Sequence, residues 1–380
     1  MSGRSPVEEF IGQEFVVDQT NGSVSEKLRR KLNPLRWPLR YLVGLFFVAL
    51  LFVMPIFGLL EIGIDILVIS SFTPLFILMV WAMTWDFVSG YTGQISLGHA
   101  AFFAIGGYTS GALNVHLGVD PLLTIPLGGL IAAAAGLLIG LPALRLEGSY
   151  LSLVTLVAPI LMFNFIQFFS DIFGGIPGMN PPDLLIRTQS FELQIVIYYY
   201  LAYVLMLAVF VLFHRMTRSE FGDVMTAMRE DKKVLSYTGF SVPRYKLFVF
   251  TLSAAIGGLA AAIFVHTPQA SPQPRALLGG PSTLGLEISL NVILITVIGG
   301  VGTIIGAVVG TVIFVFLQAI FAGVAVSVPG LGVTVADLSQ FFVLAVVFMV
   351  LTRNPEGFVP IFIRAGNRIR NRVLSDDDTD

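Results

Sequence analysis

Cysteine is absent from all 380 residues, which excludes disulfides, thiolate metal sites and cysteine nucleophiles. Charge is scarce too: Asp, Glu, Lys and Arg make up 12% of the chain, against about 25% in soluble domains. No Gly-x-x-x-x-Gly-Lys-Ser/Thr run occurs, so ATP hydrolysis through a phosphate loop of that kind is excluded. The first ~26 residues are polar and mixed in charge, without the apolar core or small-residue cleavage site of a signal peptide. What the chain has instead is apolar side chains, 55% of the total, and a mean hydropathy of +0.85. These point to an all-α polytopic membrane protein with the lipid bilayer as its first partner. The net charge of -2 says little about other partners, because placement of charge is what matters in a membrane protein. No nucleic-acid partner is expected.

Apolar windows of about 20 residues read as membrane spans. About ten fit, near 39–60, 64–85, 93–115, 121–141, 149–170, 193–213, 245–266, 286–299, 304–326 and 335–352. Basic residues stay cytosolic in short loops. With the N-terminus inside and the spans alternating, only Arg187 and Arg275 of the 22 Lys and Arg residues fall outside. Gaining or losing one span would put the basic loop 214–244 on the wrong side, so both termini are expected in the cytosol. Three regions follow: a cytosolic extension 1–38, a membrane domain 39–355, and a tail 356–380. The tail is basic and then acidic, ending in SDDDTD, a composition expected to be disordered.

The stretch Gly90 to Ala112 could cross a bilayer, yet it has six glycines and sets Gln94, Ser96 and His99 among apolar residues. Polar groups at membrane depth need partners or water, and glycine lets backbones approach. Two readings fit: a tightly packed helix whose polar groups bond to neighbours, or an element of a translocation pathway. A repeat at constant offset bears on the choice. Gln94-Ile95-Ser96-Leu97 matches Glu287-Ile288-Ser289-Leu290, and Ile105-Gly106-Gly107 matches Ile298-Gly299-Gly300, each shifted by 193 residues. Five crossings separate the copies, so they would be inverted. Short or glycine-interrupted segments at matching places in two halves are a transporter's pointer to its substrate site. Gly107 and Gly111, Gly136 and Gly140, and Gly302, Gly306 and Gly310 have the four-residue spacing of close helix packing, within one subunit or between two.

Between two spans lies SEFGDVMTAMREDKKVLSYTGFSVPRYK, Ser219 to Lys246. Phe221, Val224, Met225, Met228 and Leu235 fall near one helical face, with Arg229, Glu230, Lys232 and Lys233 largely on others. Gly239 suits a helix stop and Pro243 prevents continuation. The spacing predicts a short amphipathic helix over 219–239. Its apolar face could lie on the membrane or dock in a groove of a cytosolic partner.

These residues resemble a known family. GYTGQISLGHAAFFAIGGY is similar to the signature of permease subunits of branched-chain amino-acid ABC transporters, the M-type subunit in particular. The resemblance runs through Leu144–Leu151 with Val154-Thr155-Leu156, through Gly174, Gly175 and Gly178, and through Ala227-Met228-Arg229-Glu230-Asp231 with Gly239, Arg244, Tyr245 and Lys246. It ends on Gly299-Gly300-Val301-Gly302-Thr303-Ile304-Ile305-Gly306, roughly 40 to 355 in all. Lys232 and Lys233 depart from the usual coupling loop, and Gln269 to Leu284 is a longer external stretch.

The resemblance implies a half-transporter that moves branched-chain or related hydrophobic amino acids across the cytoplasmic membrane, driven by separate ATPases. Its implied partners are a second, H-type permease subunit, two ATP-binding subunits and an extracytoplasmic substrate-binding protein. No catalytic, metal or cofactor site is expected. The pathway candidates are Gln94, Ser96, His99, Gly106, Gly107, Glu287, Ser289, Asn291, Gly299 and Gly300. The ATPase-coupling candidates are Phe221, Gly222, Val224, Met225, Ala227, Met228, Arg229, Glu230, Asp231 and Gly239, the apolar ones filling a groove and the charged ones pairing at its rim. Related permeases carry urea, amides or sugars. A secondary transporter with Asp86, His99 or Glu287 as coupling groups is the other class that fits.

Overall fold

The structure, a computed structural model, describes residues 39–60, 62–63, 65–143, 149–175, 179, 183–268, 286–323, 338–353 and 357–359. The extension 1–38, most of the tail, Leu144–Gly148, Gly178, the stretch 269–284 and the side chain of Glu287 lie outside the described residues. The chain divides into two compact units, Met1–Leu51 and Phe52–Asp380. The first is described only over the start of α1 (Leu39–Leu59); everything below concerns the second.

All regular structure among the described residues is helical. After α1 come α2 (Ile66–Ser70) and α3 (Phe72–Trp85), which runs on into a π-helical turn, Asp86–Gly90. A non-helical segment, 93–98, leads to α4 (His99–Leu117), then α5 (Pro121–Ala143), α6 (Ser149–Phe168) and α7 (Ser170–Phe173). The long α8 (Phe191–Thr217) is followed by α9 (Glu220–Glu230), α10 (Lys232–Tyr237) and α11 (Val242–Val265). Last are α12 (Leu286–Gly299), α13 (Ile304–Ala322) and α14 (Ser339–Arg353).

Helices overlap every apolar window, and among the described residues six segments are long and apolar enough to cross a membrane: Ile66–Gly90, Pro121–Leu141, Tyr150–Phe168, Phe191–Thr217, Val242–Val265 and Ile304–Ala322. The 93–115 window is interrupted, because its first six residues are not helical. Phe46–Leu59, Ile288–Gly299 and Ser339–Arg353 are shorter apolar helices. The two copies of the repeat differ in local structure, since Gln94–Leu97 is not helical while Glu287–Leu290 lies inside α12.

α11 packs along α4 and α5, α12 pairs with α13, and α8 covers α3. Small residues set these distances. A methyl on Gly106 would run into the backbone of Gly258, and one on Gly128 would lie 2.6 Å from Gly106 O. Gly136 packs against Ala254 and Gly140 against Leu247, so that pair serves packing within this subunit. Gly310 abuts the backbone of Ile295 across the α12–α13 pair. Trp81 stacks on Phe103 at 4.4 Å between ring centroids and donates its indole N–H to Gly257 O at 3.2 Å, tying α3, α4 and α11 together.

The non-helical segment before α4 and the helices between α8 and α11

Non-helical backbone among apolar helices must find polar partners, because lipid supplies none. Segment 93–98 finds them in side chains. Ser152 Oγ donates to Ile95 O at 2.7 Å, Ser96 N–H to Ser89 Oγ at 3.1 Å, and Trp85 Nε1 to Ser96 O at 2.7 Å. Leu97 N–H donates to Thr155 Oγ1 at 3.0 Å, and Ala100 N–H, in the first turn of α4, to Ser289 Oγ at 3.1 Å. Five side chains from α3, the π-helical turn, α6 and α12 thus hold one short stretch in place. The Ala100–Ser289 bond also brings the two glycine-rich segments together.

Gln94, Ser96 and His99 are buried here. His99 Nε2 lies 3.0 Å from Ser253 Oγ, and Ser253 gives its own hydrogen to Thr84 O at 2.6 Å. Nε2 therefore carries the imidazole hydrogen and Nδ1 is an acceptor. That Nδ1, Ser96 Oγ and Gln94 Nε2 are buried and have no hydrogen-bond partner among the described residues. One acceptor, one hydroxyl and one amide donor are the kinds of group that meet an ammonium and a carboxylate.

The other expected pathway residues divide. Ser289, Gly106, Gly107, Gly299 and Gly300 are buried. Gly106 sits in the α4–α5–α11 crossing, where a side chain would separate helices. Asn291 Oδ1 accepts from Gln340 Nε2 at 3.0 Å, a bond between α12 and α14. Trp85, Ser89, Ser152 and Ser253 were not among the expected residues. Their signal is that each is a polar-capable side chain within or beside an apolar span.

On the basic loop the structure corrects two expectations. The 219–239 helix is two helices, because Asp231 leaves helical geometry and caps α10, its Oδ1 accepting from Lys233 N–H at 2.8 Å and Val234 N–H at 3.1 Å. The face carrying Phe221, Val224, Met225 and Met228 points into the chain itself. Met225 and Met228 are fully buried, and Met228 clusters with Leu235, Val242 and Val224. Phe221 packs at 5.4 Å on the rings of both Tyr245 and Phe248, and Gly222 lies against the Thr217 backbone. Ala227, Glu230, Asp231 and Gly239 remain exposed. So do Val234 at 58%, Tyr237 at 86% and Phe240 at 43%.

The chain matches the family described as branched-chain amino acid transport system / permease component over residues 67–351. It is 32% identical over 275 residues to the high-affinity branched-chain amino acid transport system permease protein LivM of Escherichia coli, and 30% over 275 residues to LivM of Salmonella typhimurium; each match covers 65% of this chain and 61% of the relative. It is also 22% identical over 246 residues to the probable branched-chain amino acid transport permease protein LivH of Methanocaldococcus jannaschii, covering 63% of this chain and 74% of the relative. The chain thus spans about three-fifths of the length of the LivM proteins it matches. No solved structure matches.

Proposed function

Because this chain belongs to the branched-chain amino-acid transport permease family, we propose that it is the M-type permease subunit of an ABC importer for branched-chain or related hydrophobic amino acids. The observation that carries this reading is the stretch 94–100, pinned by five side chains and leaving Gln94 Nε2, Ser96 Oγ and His99 Nδ1 buried without hydrogen-bond partners among the described residues. Unwound backbone of this kind is tolerated inside a membrane domain where it is buried in protein or lines a cavity. A hydrophobic amino acid needs polar contacts only at its two charged groups. The family match does not favour an ion-coupled carrier, and energy would come from separate ATPases.

The partners are an H-type permease, two ATP-binding subunits and an extracytoplasmic binding protein. The ATPase docks on the outward side of α9 and α10, with Tyr237, Val234 and Phe240 as apolar anchors and Ala227 and Glu230 beside them. Aromatic anchors usually carry most of an interface's energy. The ten-span arrangement in the cytoplasmic membrane, with both termini cytosolic, has support from two contact sets. Residues that alternation places inside, Gly90 and Arg229, touch at one end of α4. Asn114, at the outer end of the 93–115 window, touches Asp183, which alternation places outside, at the other. The inverted repeat has the Ala100–Ser289 contact between its two segments in its favour.

The test is uptake of labelled leucine by proteoliposomes holding all the subunits, with unlabelled amino acids, urea and sugars as competitors. Uptake that needs ATP and is competed by isoleucine and valine is expected, with His99→Ala and Gln94→Ala lowering it at least tenfold. Uptake that an ion gradient drives without the ATPases would sink the reading.

A further inference from the structure

We infer that Arg229 is the positioning residue through which α9 acts on the membrane helices, rather than part of the ATPase-facing rim. Three observations place it. Arg229 stands in the last turn of α9, yet its Nη1 donates to Gly90 O at 2.7 Å, the final carbonyl of the π-helical turn, where a cation is favoured by the unpaired carbonyls of a helix end. The path of its side chain is kept open by missing side chains: a Cβ on Gly93 would lie 3.0 Å from Arg229 Cγ, and one on Gly302 would lie 2.6 Å from Nη1. Both glycines have positive φ, +69° and +81°, so the backbone there favours glycine twice over.

The third observation is what Arg229 reaches. Asp86 is buried in the π-helical turn, and its Oδ1 accepts from Gly302 N–H at 2.7 Å. Its Oδ2 has no hydrogen-bond partner among the described residues, and Asp86 Oδ1 and Arg229 Nη1 both lie against Gly302. A Cβ on Gly90 would lie 2.6 Å from Gly302 N. The start of segment 93–98 and the turn between α12 and α13 therefore meet at one point, and the guanidinium of a cytosolic helix is set into it. The point lies directly ahead of the segment that presents Gln94, Ser96 and His99. A π-helical turn is a rare, locally strained geometry often found at functional sites. Moving α9 by a few ångströms would withdraw Arg229 from Gly90 O and from the neighbourhood of Asp86, changing how both elements are held. The inference rests on the reading of α9–α10 as the ATPase docking element.

The experiment uses the complete transporter in proteoliposomes and reads two quantities, ATPase retained on co-purification and solute imported per ATP hydrolysed. Arg229→Ala is expected to keep the ATPase bound and hydrolysing while solute per ATP falls at least tenfold. Arg229→Lys should recover part of it, since an ammonium is a point charge without the fork of a guanidinium. Arg229→Ala combined with Asp86→Asn should be no worse than Arg229→Ala alone, as for residues acting on one another. Should Arg229→Ala not fold, Arg229→Gln is read by the same ratio. A wild-type ratio in these variants overturns the inference, and so does a double variant whose losses multiply. Loss of the ATPase from Arg229→Ala would put Arg229 in the docking surface and overturn it as well. Tyr237→Asp that keeps the ATPase bound would instead overturn the docking reading.

Discussion

Asp183 and Asn114 hold one another at the end of α4 remote from Arg229. The backbone N–H of Asp183 donates to Asn114 Oδ1 at 2.7 Å, while Asn114 Nδ2 donates to Val119 O at 2.9 Å and reaches Asp183 Oδ2 at 3.4 Å. His266 joins them, with Nδ1 donating to Asp183 O at 2.6 Å and Nε2 accepting beside Ser110 Oγ at 2.9 Å. Leu185 N–H closes the set on His266 O at 3.2 Å. The connection before α8 is thereby sewn to the ends of α4 and α11.

Asn114→Ala should destabilise the protein by about 0.5–1.5 kcal/mol for each hydrogen bond lost, those with Asp183 N–H and Val119 O first. Thermal melting of the detergent-purified protein checks this. Arg187→Ala should shift the melting point little, because its ion pair with Asp183 is exposed on both sides, 69% and 58%.

Met225→Asp and Tyr237→Asp should fail in different ways. Met225 is fully buried in its own chain, so a carboxylate there costs several kcal/mol and lowers the yield of folded protein. Tyr237→Asp should leave the melting point unchanged and reduce ATPase co-purification at least tenfold. A Met225→Asp protein that folds normally but loses its ATPase would mean that the outward face has been misassigned.

Single engineered cysteines can report sidedness without background, the chain having none of its own. Cysteine at Arg187 should react with an impermeant maleimide in intact cells, and cysteine at Lys233 only after permeabilisation. Both positions are exposed. Reaction at Lys233 in intact cells overturns the proposed topology.

Thr155→Val and Thr73→Val form a contrasting pair. Thr155 Oγ1 accepts from Leu97 N–H, so valine there strands a backbone donor and costs about 1–3 kcal/mol. Thr73 Oγ1 is buried with no hydrogen-bond partner among the described residues. Valine at that place should be neutral or slightly stabilising. Melting points of the two variants decide, and import should fall only with Thr155→Val.

The apolar windows, the polar residues Gln94, Ser96 and His99 in a glycine-rich stretch and the amphipathic loop are legible in the sequence, because each leaves a local mark in composition or period, whereas the non-helical start of the 93–115 window is not. What lay beyond reach was relational. Periodicity shows that Phe221 and Met228 share a face but not whose atoms cover it, and here Leu235 and Val242 cover Met228 while the rings of Tyr245 and Phe248 cover Phe221. Asp231 reads equally as a rim charge or an N-cap until the neighbouring N–H groups are placed. The four-residue glycine spacing identifies close packing, yet only the fold shows that Gly136 and Gly140 face α11. Ser152 and Thr155 reach 57 and 58 residues back along the chain to their partners, a distance no local pattern encodes.

The clamping of residues 95–97 has a consequence for the kinetics of this protein. Ile95 and Leu97 are tied to α6, Ser96 to Trp85 and Ser89, and Ala100 to α12. If α6 slid along this segment, intermediate positions would strip the Ile95 carbonyl and the Leu97 amide of their Ser152 and Thr155 partners before new ones came within reach, and each hydrogen bond lost costs about 0.5–1.5 kcal/mol. The energy along such a slide is therefore corrugated, with wells only where a whole set of bonds can be remade. Single transporters watched in time should dwell in a few sharply separated arrangements and jump between them, instead of drifting through a continuum.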